Sequence, residues 1–545
     1  MKDLFQELYL SYGVNYFSDD YVLKNIIDYF DFNVDDEMND LGKYVSTKLI
    51  GGLDYIDHYA KPELQTWSVT GKRIDYVRLS PYHREILKKL QNLGIIRNSI
   101  KNEMISLINH FLSGYVISDS GIFCTFTLTE QTLYGLFKYG SKQLKDLYLN
   151  KFIDVENPWY GATFYSELQG GSDIGNNNTL AVNVDDHYIL NGKDKYFASN
   201  AGIADASIVT SKTDINQRGA KYISVYFVPA YFNGNLNYNI RRLKNKMGTV
   251  AVPTGEVELN NSIGYILGNL KDGIYIAMEI LTISRIDDAI AATGIARKAL
   301  WEAYKYANIR EAFGKKLIEQ PLMRRDFMEN EINLEAATIL SFAAASWFEK
   351  SIKSKPPYDE SYNYARILSH ISKNIASSTA NYITEYAMEM MGGIGFFEEF
   401  PMAKFHRDSI VTSIWEGTSN IQALDAMESL FKKDTLEMLM ADINNKKKNF
   451  DRHLISVIDN SMEIIKSKIN YMRKNNPEFY AKELLTDIGK LMAGAYLLDA
   501  GLSTNNQHFI KSGELYFYIN YGKEDYYELM ENSEIVIKWM NIKTN

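Results

Sequence analysis

Thr179-Leu180-Ala181-Val182-Asn183-Val184-Asp185-Asp186-His187-Tyr188-Ile189-Leu190-Asn191-Gly192 reads as two strands and two turns. Residues 179–184 and 188–191 are short β-branched and apolar runs, Asp185-Asp186-His187 separates them, and Asn191-Gly192 follows. Runs of that length bounded by such residues are strand and turn chemistry. The same texture recurs at 207–211, 223–229 and 255–259. No helical pattern alternates with these strands. Residues 157–268 therefore predict an antiparallel β-sandwich or barrel and exclude a Rossmann unit.

Helix lies on both sides. In 82–111, Ile86, Leu90, Leu93, Ile96 and Ile100 recur at three- and four-residue spacing, and 131–151 continues the pattern. Downstream, 274–310 and 321–351 each read as one long helix, and Lys355-Pro356-Pro357 breaks the chain. Residues 360–391 form a third helix, stopped by Gly392-Gly393, and another begins near Thr418. Beyond Lys433 the chain is again helical. Leu454, Val457, Ile458, Ile464 and Ile465 mark one apolar face there, and 484–498 another. The expected fold class is α+β and multidomain. An N-terminal α-helical domain (1–156) precedes the β domain (157–268), then come a four-helix bundle (269–432) and an additional α-helical domain (433–545).

The 545 residues suffice for several cores. Fifty-nine basic against 68 acidic residues, a net charge of -9, argue against a global nucleic-acid binder. Residues 431–545 carry 16 of each sign, so the last region has no basic excess. A single cysteine, Cys124, excludes an internal disulfide framework and a multi-cysteine zinc site. No apolar run reaches the eighteen or so residues of a membrane helix, and the acidic N-terminal stretch does not read as a secretory signal. A cytoplasmic location is the expectation.

Familiar catalytic signatures fail one by one. The eight histidines form no HExxH pair, and no P-loop occurs. Gly393-Ile394-Gly395 follows a helix and meets Glu398 where a third glycine would stand. Gly170-Gly171-Ser172 is followed by Asp173-Ile174, so GxSxG fails at its last glycine.

Four segments carry chemistry instead. Tyr165-Ser166-Glu167-Leu168-Gln169-Gly170-Gly171-Ser172-Asp173 sets hydroxyls around two glycines, where backbone approaches a ligand closely; a plain turn is the alternative. Tyr196-Phe197-Ala198-Ser199-Asn200 puts an aromatic and a hydroxyl on one strand face, suited to covering a flat ring, or simply a core aromatic beside an edge serine. Arg310-Glu311-Ala312-Phe313-Gly314, followed by Gln320-Pro321, ends a long helix on an arginine, which complements the helix dipole or binds a phosphate. Ile414-Trp415-Glu416-Gly417-Thr418-Ser419-Asn420-Ile421-Gln422 places a carboxylate between a Trp and a Gly. That is a setting for a base, or for a surface glutamate ahead of a capped helix.

In order and spacing, with Gly392-Gly393-Ile394-Gly395, these segments resemble the acyl-CoA dehydrogenase family over roughly residues 60–430. The added C-terminal region, the segment from Arg241 to Glu258 with Lys246-Met247-Gly248, Gln320-Pro321-Leu322-Met323 and Ser413-Ile414-Trp415-Glu416-Gly417 are similar to the branch containing the alkylation-response flavoprotein. The resemblance implies an FAD enzyme that converts an acyl-CoA into a trans-2-enoyl-CoA, with electrons passed to an electron-transfer flavoprotein. Fatty-acid β-oxidation and a homotetramer built as a dimer of dimers are part of the same expectation. Tyr165, Ser166, Ser172, Phe197 and Ser199 match positions along the FAD. Arg310 and Phe313 match positions that reach the FAD of a neighbouring subunit, as do Gly392 and Gly393; Gln320 is a further expected cofactor contact, and Thr418 and Asn420 match the adenosine end. Arg285, Trp415 and Gly417 match substrate-facing positions, and Glu416 matches the base that removes the α-proton while a hydride leaves for flavin N5.

Four departures bear on this reading. One extra residue lies between Gly192 and Lys195. Ser284 stands where some branches carry an alternative base. Glu389 replaces a common Gln, so its carboxylate should turn away from a pyrophosphate or pair with a cation. Trp415 replaces a common Tyr and should narrow an acyl pocket. A nucleic-acid-associated flavoprotein and an acyl-CoA oxidase are the competing readings. No metal is expected.

Overall fold

The structure is a computed structural model that describes residues 4–433, 435–475, 478–522 and 534–541. The chain packs as two units that interleave in sequence. One comprises Gly51–Ser106 and Ser120–Ser284; the other comprises Met1–Ile50, Leu107–Asp119 and Arg285–Asn545. The division by texture into 1–156, 157–268, 269–432 and 433–545 follows the chain, whereas packing distributes the first 156 residues over both units.

The sheet unit holds seven strands in one connected path: β1 (Gly161–Phe164), β2 (Leu180–Val184), β3 (His187–Ser199), β4 (Ala206–Ser211), β5 (Ser224–Pro229), β6 (Asn239–Leu243) and β7 (Thr254–Ile266). Their order is β1-β4-β5-β7-β3-β2, with β6 also on β7. Every pair is antiparallel except β1–β4, which is parallel because the chain makes the β2–β3 hairpin before returning beside β1. β7 pairs with β3 and β6 over most of its length, and with β5 through Tyr265 and Ile266, so one strand serves two layers. Ala181 N–H to Lys212 O (2.7 Å) and Lys212 N–H to Thr179 O (3.0 Å) tie the start of β2 back to the end of β4. That arrangement agrees with the sandwich or barrel expected from 157–268.

Two local expectations are corrected. Asn191-Gly192 is not a turn but lies inside β3. Partners run Gly255–Ala198, Val257–Lys195 and Leu259–Gly192, so β3 takes up an additional residue twice. The extra residue between Gly192 and Lys195 thus becomes a β-bulge, which adds length to one strand and preserves the pairing beyond it. The second correction concerns 82–111. The helix runs only from Pro81 to Asn92, started by the Ser80 side chain accepting from His83 N–H. Gly94, at φ +82°, ends it, and Ile100 begins a two-residue strand. A left-handed glycine stops a helix although apolar spacing continues beyond it.

Buried hydrogen bonds seat β1 on the helix Ser120–Tyr139. Gly161 N–H reaches Thr129 Oγ1 (3.0 Å), and Asn200 Nδ2 donates to Thr125 O (3.1 Å) and Gly161 O (2.8 Å). Asp205, just before β4, accepts from Tyr160 N–H at 2.9 Å. Burial pushes its carboxyl up to about 6, against the Tyr160 bond and Lys151. A raised carboxyl pKa means stability complete at low pH and lost as pH climbs from the unfolded value toward the folded one. Chemical denaturation should show wild-type stability falling between about pH 4 and 6 by on the order of 2 kcal/mol relative to Asp205→Asn. Parallel curves for the two proteins across that window would refute the assignment.

The helical unit contains the C-terminal part, 285–309, of α1 (Gly273–Ile309). It also holds α2 (Pro321–Ser351), α3 (Glu360–Met391), α4 (Ser419–Lys432), α5 (Arg452–Lys474), α6 (Ala481–Ser503) and α7 (Gln507–Tyr521). α2 packs on α3 and α3 on α4; α6 packs against α2, α3 and α4, and α7 against α2 and α6. The region after 433 therefore shares a core with the bundle. Gly489 lets α6 approach α3, where an added Cβ would meet the Ile375 side chain at 2.5 Å. On α5, Leu454, Ile458 and Ile465 are buried as expected, but Ile464 is exposed, one position round from that face.

A buried polar chain crosses this core. Arg297 pairs with Glu331 and lies 3.8 Å from Asp20, and His508 Nε2 meets Glu335 Oε1 at 2.6 Å. Burial pushes Glu331 up to about 8 against the pull of Arg297. Despite burial, His508 is drawn up by Glu335. Among the described residues no helix is long and apolar enough to cross a membrane.

Candidate functional site

In the sheet unit, the loop 165–173 and strand β3 are bonded to each other. Tyr196 N–H donates to Ser166 O at 2.9 Å, and Glu167 bridges to Lys195. The bridge carries a fully buried ion pair, Lys195 Nζ to Glu167 Oε1 at 2.9 Å. Lys195 Nζ also donates to Thr210 O (2.7 Å), while Glu167 accepts from Asn178 N–H (2.5 Å) and Thr179 Oγ1 (2.6 Å). Burial pulls the lysine pKa down against the glutamate; the glutamate, whose burial works the other way, ends below its usual range because Lys195 and these donors favour its charge.

The expected residues of these two segments differ in exposure. Phe197 is 58% exposed, Ala198 is buried, and Ser199 is half-buried with its hydroxyl 3.0 Å from Thr254 Oγ1. Phe197 and Ser199 thus occupy one strand face. Tyr165 is buried, Ser166 half-buried and Ser172 exposed. An added Cβ at Gly171 would abut Ser166 Oγ, so glycine keeps that hydroxyl uncovered. Lys244, which the sequence reading missed, sets its ammonium 3.3 Å from the Tyr196 ring centroid and 4.8 Å from that of Phe197. An exposed aromatic face, three hydroxyls and an open glycine backbone fit a flat, hydrogen-bonding heterocycle with phosphates.

In the helical unit, Arg285, Trp415, Glu416 and Gly417 come together. Glu416 has φ +57° and Gly417 φ +100°. A non-glycine residue in the left-handed region costs of order 1–3 kcal/mol and persists only when its surroundings over-determine it. Here they do. Glu416 O accepts from Arg285 Nε (3.1 Å) and Gln422 Nε2 (2.8 Å); Gly417 O accepts from Gln422 Nε2 (2.9 Å) and Lys373 Nζ (3.0 Å). Gln422 is oriented by the buried His370, whose Nδ1 lies 2.6 Å from Gln422 Oε1. Burial pushes His370 down to about 3, with Arg285 adding to the effect, so it is neutral. Arg285 Nη2 pairs with Asp425 at 3.3 Å. The Glu416 carboxylate acts electrostatically on Arg285, Asp288 and Lys373, within one buried cluster.

His370, Lys373, Asp288, Gln422 and Asp425 were missed as site residues. A signal existed: Asp287-Asp288 interrupts an apolar helical run, and His370, Lys373 and Ser377 recur at helical spacing.

The remaining expected residues sit at the periphery of this unit. Arg310 and Phe313 lie at a hairpin, Glu311–Ala312 with Lys315–Lys316; Phe313 is 97% exposed at φ +53°. Gln320 braces the hairpin, its Nε2 donating to Ala312 O at 3.1 Å. Gly392 (φ +66°) and Gly393 are exposed at the end of α3, with nothing within 4 Å of an added Cβ. Glu389 is exposed. Thr418 occupies the N-cap position of α4 without a side-chain cap bond, and Asn420 is exposed.

Residues 162–262 match the middle domain of acyl-CoA dehydrogenase, and 271–431 its C-terminal domain. A 3-(aryl)acrylate reductase of Clostridium sporogenes is 30% identical, over 57% of this chain and 80% of the reductase. The chain belongs to the acyl-CoA dehydrogenase family. The putative acyl-CoA dehydrogenase AidB of Escherichia coli is 27% identical over 76% of this chain and 79% of its own length, which supports the branch with an added C-terminal region. Two solved structures share the fold of this acyl-CoA dehydrogenase family member. Caenorhabditis elegans ACDH-11 in complex with C11-CoA has a TM-score of 0.82 at 22% identity, over 96% of this chain and 93% of that one. An acyl-CoA dehydrogenase of Bacillus anthracis complexed with FAD has a TM-score of 0.71 at 18% identity, over 98% and 93%.

Proposed function

We propose that the protein is an FAD-dependent acyl-CoA dehydrogenase in which Glu416 removes the α-proton of an acyl-CoA thioester. The observation that carries this reading is the Glu416 backbone, held in a left-handed conformation by hydrogen bonds from Arg285 and Gln422. A side chain that only decorated a surface would not need such support. The sheet unit would hold FAD through Tyr165, Ser166, Ser172, Phe197 and Ser199. Arg310, Phe313, Gly392 and Gly393 would reach the FAD of a second copy, and Gln320, Thr418 and Asn420 are further proposed FAD contacts.

When bound, FAD supplies the acceptor for the β-hydrogen, which leaves as hydride. The chain's own residues do the rest. The Glu416 amide donates to the thioester carbonyl oxygen and makes the α-carbon proton more acidic. The Glu416 carboxylate takes that proton. Arg285 holds the Glu416 carbonyl, and Trp415 and Gly417 shape the space for the acyl group. Ser284 carries a neutral hydroxyl, too weak a base to take the α-proton, and it donates to Leu281 O at 3.0 Å within α1.

An electron-transfer flavoprotein is the proposed redox partner, and a homo-oligomer the proposed assembly. Exposed Phe313, Phe396 (79%) and Phe397 (51%) support burial against another copy. Degradation of fatty acids is not the only role compatible with this chemistry, because the C. sporogenes relative is named a reductase. The test is an anaerobic titration of the FAD-loaded protein with straight, branched and aromatic acyl-CoAs, followed by visible flavin absorbance. Bleaching by one class is expected and names the substrate. No bleaching by any, with FAD bound, would overturn the reading.

A further inference from the structure

Asp288 and Trp415 stand 127 residues apart in the chain, yet the indole Nε1–H donates to Asp288 Oδ1. The other carboxylate oxygen, Oδ2, lies 3.4 Å from Lys373 Nζ, and both charged side chains are buried. Lys373 Nζ donates in turn to Thr412 O (2.8 Å) and Gly417 O (3.0 Å). One ammonium therefore grips the backbone on both sides of 413–416 while steadying the carboxylate that grips the indole.

The bonds fall into two groups. The backbone at Glu416 and Gly417 is held by Arg285, Gln422 and Lys373, and Thr412 O also accepts from Ser377 Oγ at 2.9 Å. None of these passes through the indole. The hydrogen-bonding hold on the Trp415 side chain is Asp288. Removing the Asp288 acceptor releases the ring; it also takes the carboxylate from Lys373, but Arg285 and Gln422 still hold the Glu416 carbonyl. A ring adjacent to the base and fixed in one rotamer limits what fits beside the reacting carbon; a ring free to swing does not.

We propose that Asp288, braced by Lys373, is a positioning residue that sets acyl-group selectivity by holding the Trp415 indole in one orientation beside Glu416. The proposal rests on the reading of Glu416 as the base. Burial pushes Asp288 up to about 7, opposed by Lys373 and the indole bond, and in either protonation state it keeps an acceptor oxygen for the indole. Asparagine is therefore the informative conservative replacement. It keeps an oxygen for the indole and drops the charge, whereas alanine drops both.

The experiment uses the full-length FAD-loaded chain grown on 5-fluorotryptophan, with the Trp415 resonance identified by its disappearance in Trp415→Phe. Wild type and Asp288→Asn should show one narrow Trp415 line at similar shift. Asp288→Ala should move or broaden it toward the position of a freely rotating indole. In parallel, kcat and KM are measured for a straight and a branched acyl-CoA. The selectivity ratio in kcat/KM should change by about 10-fold in Asp288→Ala, mainly through KM, and return toward wild type in Asp288→Asn. Trp415→Phe keeps the Asp288–Lys373 pair and should shift the ratio in the same direction as Asp288→Ala, which preserves the test if the alanine variant fails to fold. An unmoved fluorine line with an unmoved ratio would overturn the proposal. So would an equal fall in kcat for every acyl group, which would mean that Asp288 acts through the base. No turnover by the unmodified chain would sink the dehydrogenase reading instead, and the fluorine line would still report whether Asp288 holds the ring.

Discussion

Glu416→Gln is expected to retain FAD and to lose its reduction by acyl-CoA, the rate falling by about 10²–10⁴-fold, the usual contribution of a positioned general base. The amide has the shape of the carboxylate and no capacity to take the proton. The conformation of the loop should survive, because Arg285 and Gln422 bond the Glu416 carbonyl, which the substitution leaves unchanged. FAD should stay as well, since the proposed hydroxyl and aromatic contacts, Ser166, Phe197 and Ser199, lie on other elements. Stopped-flow mixing of the oxidised protein with a substrate that bleaches wild type gives the rate, and a flavin spectrum before mixing gives occupancy. Reduction within tenfold of wild type would remove Glu416 from the mechanism. Loss of FAD with the rate would mean that the side chain supports the fold.

Lys195→Met carries the largest stability effect in the sheet unit. Breaking a buried pair by removing one partner typically costs about 3–5 kcal/mol, because the other charge stays buried without compensation. Glu167 would keep its bonds from Asn178 and Thr179 but lose the ammonium that balances it. The same change removes the side-chain pair that reinforces the backbone bridge between loop 165–173 and β3, beside the Tyr196 N–H to Ser166 O bond. FAD affinity should therefore fall together with the denaturation midpoint. The double variant Glu167→Gln with Lys195→Met should recover part of the loss, since it leaves no lone charge. A single variant costing under about 1 kcal/mol, with FAD affinity unchanged, would show that the pair is idle.

The sequence was most readable where local chemistry and packing agree. The helices 321–351 and 360–391 were expected with the bounds they have, Pro321 starting one and Gly392-Gly393 ending the other. Asn191-Gly192 was misread because the residues that make a hairpin turn also make a bulge, and only the partner strand β7 distinguishes them. Residues 93–100 kept helical spacing by coincidence after Gly94 had ended the helix. At the site, the motif around Glu416 was legible as a run of nine residues. Its supports were not, because Asp288, His370 and Lys373 come from helices far away in the chain and owe their meaning to burial. Polar residues on long helices look solvated until the neighbouring helix is known.

The shared core of the helical unit has a consequence for how the protein is made. Glu335 on α2 pairs with His508 on α7, and α3 packs against α6 as well as α2 and α4. When the segment matched by the family leaves the ribosome, Glu335 still awaits His508, which has not been synthesised. At about 5–20 residues per second, the remaining stretch takes on the order of ten seconds to emerge. For that interval the nascent bundle exposes an apolar face and a misplaced charge, the kind of surface that chaperones bind, and its final closure must follow translation of the last helices.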